Sequence, residues 1–422
     1  MNVTIKPNKL KGDVIIPPSK SLSHRAIIAA SLASGKSKIT NVLFSKDILA
    51  TISAMEACGA KITKYEDSLE IEGTRRVERI SDVIDANESG STIRFMIPIA
   101  LTNNLPIKFM GHNNLVNRPL DIFLEIFDNQ NIEYKKENDK YLPLYVNGGL
   151  KPGKFMIRGD ISSQFITGLL YALPLLDGDS EIIITTTLES KGYIDLTLDI
   201  LKMYGIEIVN NNYESFIIKG NQEFKPHDYE IEGDYSQSAF FLVGNMLGAD
   251  INLLCMREDS YQGDKKIIQD IKDFGGNVTF KNGILKANGS PLGTTIDFSQ
   301  SPDLGPALTV LAALSNGHSS FINAKRLRIK ECDRITCMAD ELNKAGCKVK
   351  ELPEGMEIDG VDEIKPVVFD SHNDHRVAMA LSMLTNVIKE DIKILGAECV
   401  SKSYPNYWKV FESLGGIVIY ED

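Results

Sequence analysis

The chain has 422 residues, 43% apolar and 24% charged, a balance that excludes disordered, collagen-like and disulfide-stapled classes and fits a soluble globular protein of two or three domains. Its longest nearly apolar run, Phe165–Leu176, contains Thr167, Gly168 and Pro174 and is far shorter than the roughly 20 residues of a membrane span, so no membrane association is expected. With 46 basic against 57 acidic residues, the net charge of −11 opposes binding to nucleic acid.

The opening Met1–Pro7 has no basic segment followed by an apolar one, so no cleaved signal is expected and the cytoplasm is the default location. Six cysteines (58, 255, 332, 337, 347 and 399) form no C-x-x-C pair and read as reduced thiols. From the N-terminus onward, one phrase recurs: an amphipathic stretch ends near a glycine and a short β-like run follows. Its anchors are residues 59, 131, 205, 276, 346 and 416, with differences of 72, 74, 71, 70 and 70. At 131 the anchor is Asn rather than Gly.

Each unit starts with a polar cluster and continues into a buried-helix pattern. In chain order the clusters are Ser19-Lys20-Ser21, Glu88-Ser89-Gly90-Ser91-Thr92, Ser162-Ser163-Gln164, Asp234-Tyr235-Ser236-Gln237-Ser238, Ser301-Pro302-Asp303 and Asn373-Asp374-His375-Arg376. The apolar runs behind them are Ala26–Leu32, Phe95–Leu101, Phe165–Leu176, Ala239–Leu247, Ala307–Leu314 and Val377–Leu384. A β-like run follows each, as in Glu181–Thr185 and Asp391–Leu395, and then a second, amphipathic helix. A unit of this size cannot cover a wholly apolar helix alone, so three units should share each of two cores. Gly220–Asp228 is the most linker-like stretch near the midpoint. Two similar α/β domains with a cleft between them are expected.

Ser, Thr, Asp and Asn are good helix caps, which is the plain explanation of these clusters. Cations at the same places need another. Lys20 and Arg25 open the first helix, Arg94 begins the second, and His375 and Arg376 open the sixth; Arg118, Lys191, Lys330, Arg334 and Lys402 stand at the starts of second-type helices. A helix N-terminus is already positive, so these side chains make sense when an anion lies among them. A net acidic chain with this pattern reads as a binder of small, multiply charged anions, Arg giving bidentate contacts and Lys point charges. The alternative is solvated surface charge. Asp303 and Glu331 stand among these cations, and either could act as base or acid. Their bland readings are an N-cap for Asp303 and an i,i+3 salt bridge to Arg334 for Glu331.

Gly35-Lys36-Ser37 resembles the end of a phosphate loop, but residue 30 is Ala, and no G-x-G-x-x-G occurs. His372 with His375, and Cys332 with Cys337, lack companions for a metal shell, so no metal and no cofactor are expected.

The segments Pro18–Arg25, Arg118–Leu120, Gly159–Phe165, Ser190–Asp195, Leu327–Arg334 and Asn373–Met379, collinear from near residue 12 to near 410, resemble the 5-enolpyruvylshikimate-3-phosphate (EPSP) synthase family. The resemblance implies an α/β fold of two domains of the inverse α/β barrel type, each of three βαβαββ units with helices inside and sheets outside. The active site would lie in the interdomain cleft. The chain would cross twice between domains, giving 16–226 as one and 1–15 with 227–422 as the other. The implied reaction moves the enolpyruvyl group of phosphoenolpyruvate to the 5-hydroxyl of shikimate 3-phosphate, by addition and elimination of phosphate. These two small molecules are the expected partners, and a monomer is the expected state.

By resemblance, Lys20, Ser21, Arg25, Ser162, Ser163, Gln164, Ser190, Asp303 and Lys330 form the shikimate 3-phosphate site. Lys20, Gly90, Arg118, Gln164, Arg334, Arg376 and Lys402 form the phosphoenolpyruvate site, Lys20 bridging the two anions. Asp303 would accept the proton of the attacking hydroxyl and Glu331 would protonate the methylene carbon, with Lys402 or Lys20 assisting elimination. Glu88 stands where the family usually has Asn and Ser91 where it has Thr; a carboxylate there repels phosphoenolpyruvate unless Arg118 or Lys20 neutralises it or it turns away. Pro17-Pro18 and Arg326 also depart from the commoner forms. The rival enzyme is the enolpyruvyl transferase acting on UDP-N-acetylglucosamine, which would carry a cysteine near the Arg-Pro motif; Asn113–Val116 has none. A non-catalytic anion-binding module, motivated by Glu88, is the other alternative.

Overall fold

The computed structural model describes residues 1–137 and 139–421. The chain folds as two compact units, a central one of Lys20–Ile231 and a terminal one of Met1–Ser19 with Glu232–Asp422.

The central unit contains helices α1 (Lys20–Leu32), α2 (Lys46–Ala57), α3 (Gly90–Ala100), α4 (Asp121–Gln130), α5 (Ser163–Ala172) and α6 (Lys191–Met203). Residues of α1, α3 and α5 are almost all buried, which is what their apolar sequences demand, whereas α4 and α6 bury one face. The approach of α3 and α5 is close enough that a Cβ at Gly168 would lie 2.4 Å from the Arg94 carbonyl oxygen. The apolar run after Ser163 does not stay α-helical to Leu176. Pro174, which has no N–H to donate, turns Leu173–Leu175 into a 3₁₀ segment.

Each sheet of this unit has four strands in one pattern. In the third, Lys154–Ile157 pairs parallel with Ser180–Ile184, which is antiparallel to Ser215–Ile218, itself antiparallel to Ile208–Asn211. The parallel step needs a crossover, and α5 supplies it.

The terminal unit repeats this plan with α7 (Tyr235–Met246), α8 (Ile267–Asp273), α9 (Gly305–Ala313), α10 (Arg334–Lys344), α11 (His375–Ser382) and α12 (Tyr407–Ser413). Every residue of α7, α9 and α11 is buried, and α9 packs on both of the others. At about 1.5–3 kcal/mol per large apolar side chain, Leu308, Val310 and Leu311 of α9 alone contribute several kcal/mol to this core.

Two features differ from six self-contained blocks of about 70 residues. Three sheets take a strand from a distant part of the chain: Tyr229–Glu230 pairs parallel with Gly35–Thr40, Lys11–Ile15 pairs parallel with Asp250–Leu254, and Asn2–Lys6 lies antiparallel between Ile392–Leu395 and Ile417–Glu421. A block cut from the chain at its glycine would leave those sheets short of a strand. Second, where two glycines are adjacent, the left-handed residue after the helix is Gly275 or Gly415 (φ 79° and 90°), one position before the expected anchor.

Candidate active site

In the terminal unit the helix starts gather charge around Asp303. This residue lies in the 3₁₀ turn Pro302–Leu304 that leads into α9. It does not cap α9, which opens at Gly305 without a side-chain cap; the N-cap reading of Asp303 is corrected here. Its carboxylate serves as a hub instead. Lys330 Nζ and Arg334 Nη1 each lie 3.0 Å from Oδ1, and Arg376 Nη2 lies 3.2 Å from Oδ2. Burial alone would push this carboxyl upward, but Arg376, Lys330 and Arg334 together hold it well below the usual carboxylate range.

Arg334, the first residue of α10, is 1% exposed and is shared among three carboxylates. Besides Asp303, it donates from Nη2 to Glu331 Oε2 at 2.7 Å and from Nε to Asp374 Oδ2 at 2.8 Å. The i,i+3 salt bridge expected for Glu331 is therefore present. Asp374 is fully buried, and its Oδ1 accepts from the Arg376 N–H at 2.8 Å, capping α11. Arg376 Nη2 also donates to Ser236 Oγ at 3.1 Å, and Lys402 Nζ donates to the Asn373 carbonyl at 2.8 Å. Burial pushes Lys330 down to about 8, Asp303 opposing this while Arg326 and Arg334 add to it.

The central unit holds its own set. Lys20, the first residue of α1, lies 2.8 Å from Asp47 Oδ2 in the first turn of α2. A buried relay joins three helices: His24 Nδ1 to Thr51 Oγ1 at 2.7 Å, Thr51 to Thr92 Oγ1 at 2.7 Å, and Thr92 Oγ1 donating to Ser89 Oγ at 2.7 Å. Ser89 caps α3, and burial, with Lys20 and Arg25 nearby, holds His24 well below its usual range and hence neutral. Gln164 bridges α5 to α3, accepting at Oε1 from Arg94 Nη1 and donating to Ser91 Oγ, both at 2.8 Å. Ser162 caps α5 by accepting from the Gln164 N–H, Ser163 is buried, and Ser190 stands before α6 in left-handed conformation, φ 55°. Arg25 is turned inward, donating to the Ser21 and Tyr193 carbonyls and to Thr197 Oγ1, so it ties Ser21 to the helix behind Ser190.

Gly90 begins α3 directly beside Arg118, and a Cβ there would lie 2.4 Å from Arg118 Nη1. The resemblance places Arg118 in the phosphoenolpyruvate site, so Gly90→Ala, by displacing this guanidinium, is expected to weaken phosphoenolpyruvate binding by about tenfold, roughly one good charge-assisted hydrogen bond. Isothermal titration would read the change, and wild-type affinity would mean that Arg118 does not contact the anion.

The capping explanation of the polar clusters holds for Ser89, Ser162, Asp234 and Asp374, whose side chains accept from helix N–H groups. Capping leaves the cations unexplained, and within each unit most of them converge on carboxylates or on one another's loops. Lys191 is exposed, and its ammonium lies over the Tyr213 ring, 5.0 Å from the centroid. Glu88 is half-buried, immediately before the Ser89 cap. Sequence reasoning passed over Asp47 and gave Asp374 no function beyond its cluster. Asp374 could have been suspected from its place beside His375 and Arg376, whereas nothing local marks Asp47. Among the described residues no helix is long and apolar enough to cross a membrane, and no three His, Cys, Asp or Glu side chains gather as a metal-binding group.

The profile of a family described as EPSP synthase (3-phosphoshikimate 1-carboxyvinyltransferase) matches residues 4–411. The 3-phosphoshikimate 1-carboxyvinyltransferase of Clostridium novyi (strain NT) is 50% identical over 427 residues, spanning 99% of this chain and 98% of that protein. The enzyme of the same name from Clostridioides difficile (strain 630) is 50% identical over 428 residues, 98% of each chain. Among solved structures, an EPSP synthase from Acinetobacter baumannii at 2.37 Å matches with a TM-score of 0.80 over 99% of this chain and all of that one; at 24% identity this likeness speaks for the fold. With a family profile and half-identical relatives running essentially from end to end, the chain belongs to the EPSP synthase family.

Proposed function

We propose that the protein transfers the enolpyruvyl group of phosphoenolpyruvate to the 5-hydroxyl of shikimate 3-phosphate and releases phosphate. The observation that carries this reading is a carboxylate, Asp303, held by three cations at 3.0–3.2 Å, each of which could exchange it for a substrate anion. In this reading Lys330 takes the phosphate of shikimate 3-phosphate, along with Lys20, Ser21, Arg25, Ser162, Ser163, Gln164 and Ser190. Arg334, Arg376 and Lys402, with Lys20, Gly90, Arg118 and Gln164, take phosphoenolpyruvate. The enzyme works as a cytoplasmic monomer.

The exchange gives Asp303 its chemistry. A carboxylate neutralised by three cations is a poor base, because they stabilise its ionised form. Once the substrates' anionic groups share those cations, its proton affinity rises and it can accept the proton of the 5-hydroxyl as that oxygen attacks C2 of phosphoenolpyruvate. Glu331, released from Arg334, takes up a proton from solvent and delivers it to the methylene carbon. The resulting tetrahedral adduct returns a proton from its methyl group to the Glu331 carboxylate and loses its phosphate, which carries away the proton held by Asp303, restoring the enol double bond, while Lys402 and Lys20 assist the departure. Cations around the leaving phosphate and carboxylates beside the electron-poor C2 match the charge that develops.

Phosphate release measured with each substrate alone, with both, and with phosphoenolpyruvate plus UDP-N-acetylglucosamine tests the assignment. Release only with both phosphoenolpyruvate and shikimate 3-phosphate is expected; release with the nucleotide sugar instead would reverse it. A pH profile adds a second check. Because Lys330 is pushed down to about 8, it loses its charge as pH rises through that value, so kcat/KM for shikimate 3-phosphate should fall about tenfold per unit above it. In Lys330→Arg this alkaline limb should move beyond pH 10, since a guanidinium stays charged. A limb still near 8 in that variant would assign the titration to another group.

A further inference from the structure

Residues 371–374, which lead from the strand Val368–Asp370 into α11, are held in an unusual way. His372 and Asn373 are consecutive and both left-handed, with φ of 50° and 54°. For non-glycine residues such backbone persists only where its surroundings enforce it. Here α10 supplies the enforcement at two points. Arg334, its first residue, holds Asp374 Oδ2 at 2.8 Å. Glu341 lies seven residues later, two turns along the same face, and is fully buried. Its Oε1 lies 2.7 Å from His372 Nε2, and its Oε2 accepts from the Asp370 N–H at 3.0 Å. Lys344 Nζ donates to both oxygens at 2.7 and 2.9 Å, and the His372 N–H donates to Asp370 Oδ1 at 2.7 Å.

What emerges from this double grip faces the candidate site. The Asn373 carbonyl receives Lys402 Nζ at 2.8 Å, and Asp374 sets the first turn of α11, where Arg376 stands. A buried carboxylate is expensive unless its bonds are all used, and those of Glu341 go to this loop and to Lys344.

We propose that Glu341 and His372 are positioning residues: their contact fixes the left-handed His372–Asn373 turn, and through it aims the Lys402 ammonium and the Arg376 guanidinium at the anionic enolpyruvyl donor. This rests on the reading above that these two cations bind phosphoenolpyruvate. The pair acts through Asn373 and Asp374 and does not touch substrate.

His372→Asn separates a positioning effect from loss of fold, because Asn tolerates left-handed backbone while its amide is too short to reach Glu341. His372→Gln places an amide N–H close to where Nε2 lies. The expected result for His372→Asn is a KM for phosphoenolpyruvate raised about tenfold, with the KM for shikimate 3-phosphate and the circular dichroism spectrum unchanged; His372→Gln should return within about twofold of the parent. A folded His372→Asn enzyme with an unaltered phosphoenolpyruvate KM, or with both KM values raised equally, overturns the proposal. Lys402→Met is the companion variant. Should it raise the phosphoenolpyruvate KM while His372→Asn does not, the positioning role alone is lost. If Lys402→Met leaves that KM unchanged, the donor assignment fails and the positioning role fails with it.

Discussion

Asp303→Asn is expected to lower kcat by about 10²–10⁴-fold, the usual worth of a general base, while shikimate 3-phosphate binds at least as tightly as before. The two effects have one cause. Asp303 occupies Lys330, Arg334 and Arg376 in the free protein, and an incoming anion must compete with it for them. Asparagine keeps the volume and can still accept hydrogen bonds, but it removes the competing charge and the proton acceptor together. Most mutations in a binding site weaken binding; this one should separate turnover from affinity in opposite directions. Stopped-flow or rapid-quench turnover, together with titration of shikimate 3-phosphate, checks it. A variant that turns over normally would remove Asp303 from proton transfer, and one that binds more weakly would mean that the carboxylate itself holds the substrate.

Arg334→Met should be the most damaging single change for stability, costing about 3–5 kcal/mol. Arg334 and Asp374 are 1% and 0% exposed, and the methionine would leave Asp374 as a buried carboxylate without its guanidinium partner. Glu331 and Asp303 would lose a partner as well. The comparison with Asp374→Asn makes the origin visible. If the loss comes from stranding a charge, the double variant Arg334→Met/Asp374→Asn should recover a substantial part of what Arg334→Met loses. Urea unfolding of the three variants reads this directly. Equal stability of single and double variants would place the cost in lost packing of the arginine stem rather than in electrostatics.

Much of the molecule was legible beforehand because its signals are local. A run such as Ala307–Leu314 has no polar face, so it must be buried wherever it goes, and α9 is buried throughout. Ser89, Ser162 and Asp374 cap the helices behind them because capping depends only on residues two or three positions away. The Glu331–Arg334 contact is equally local, between residues three positions apart. Glycine and asparagine anchors could be read because the turn after a helix selects left-handed residues from the chain itself. The erroneous detail at 275 and 415 arose because two adjacent glycines offer the same signal.

Other features depend on parts of the chain that sequence spacing does not connect. Asn2–Lys6 completes a sheet with strands near residues 392 and 417, because the edge left open by the last repeat can be filled by any strand of the right register that the topology brings there. Asp303 looked like a cap because it precedes an apolar helix; it became a hub because packing α9, α10 and α11 together sets Lys330, Arg334 and Arg376 around it. Glu341 gave no local sign of function, since a Glu in an amphipathic helix ordinarily faces water, yet here it is buried and meets His372 and the Asp370 N–H, contacts that only tertiary packing supplies. The amino-acid order by itself thus determined the repeats, the buried helices, their caps and the excess of cations at helix starts, all set by interactions within a few residues. Which carboxylate each cation meets was decided by tertiary structure, because charges act through space and the distances between them exist only after the helices have packed.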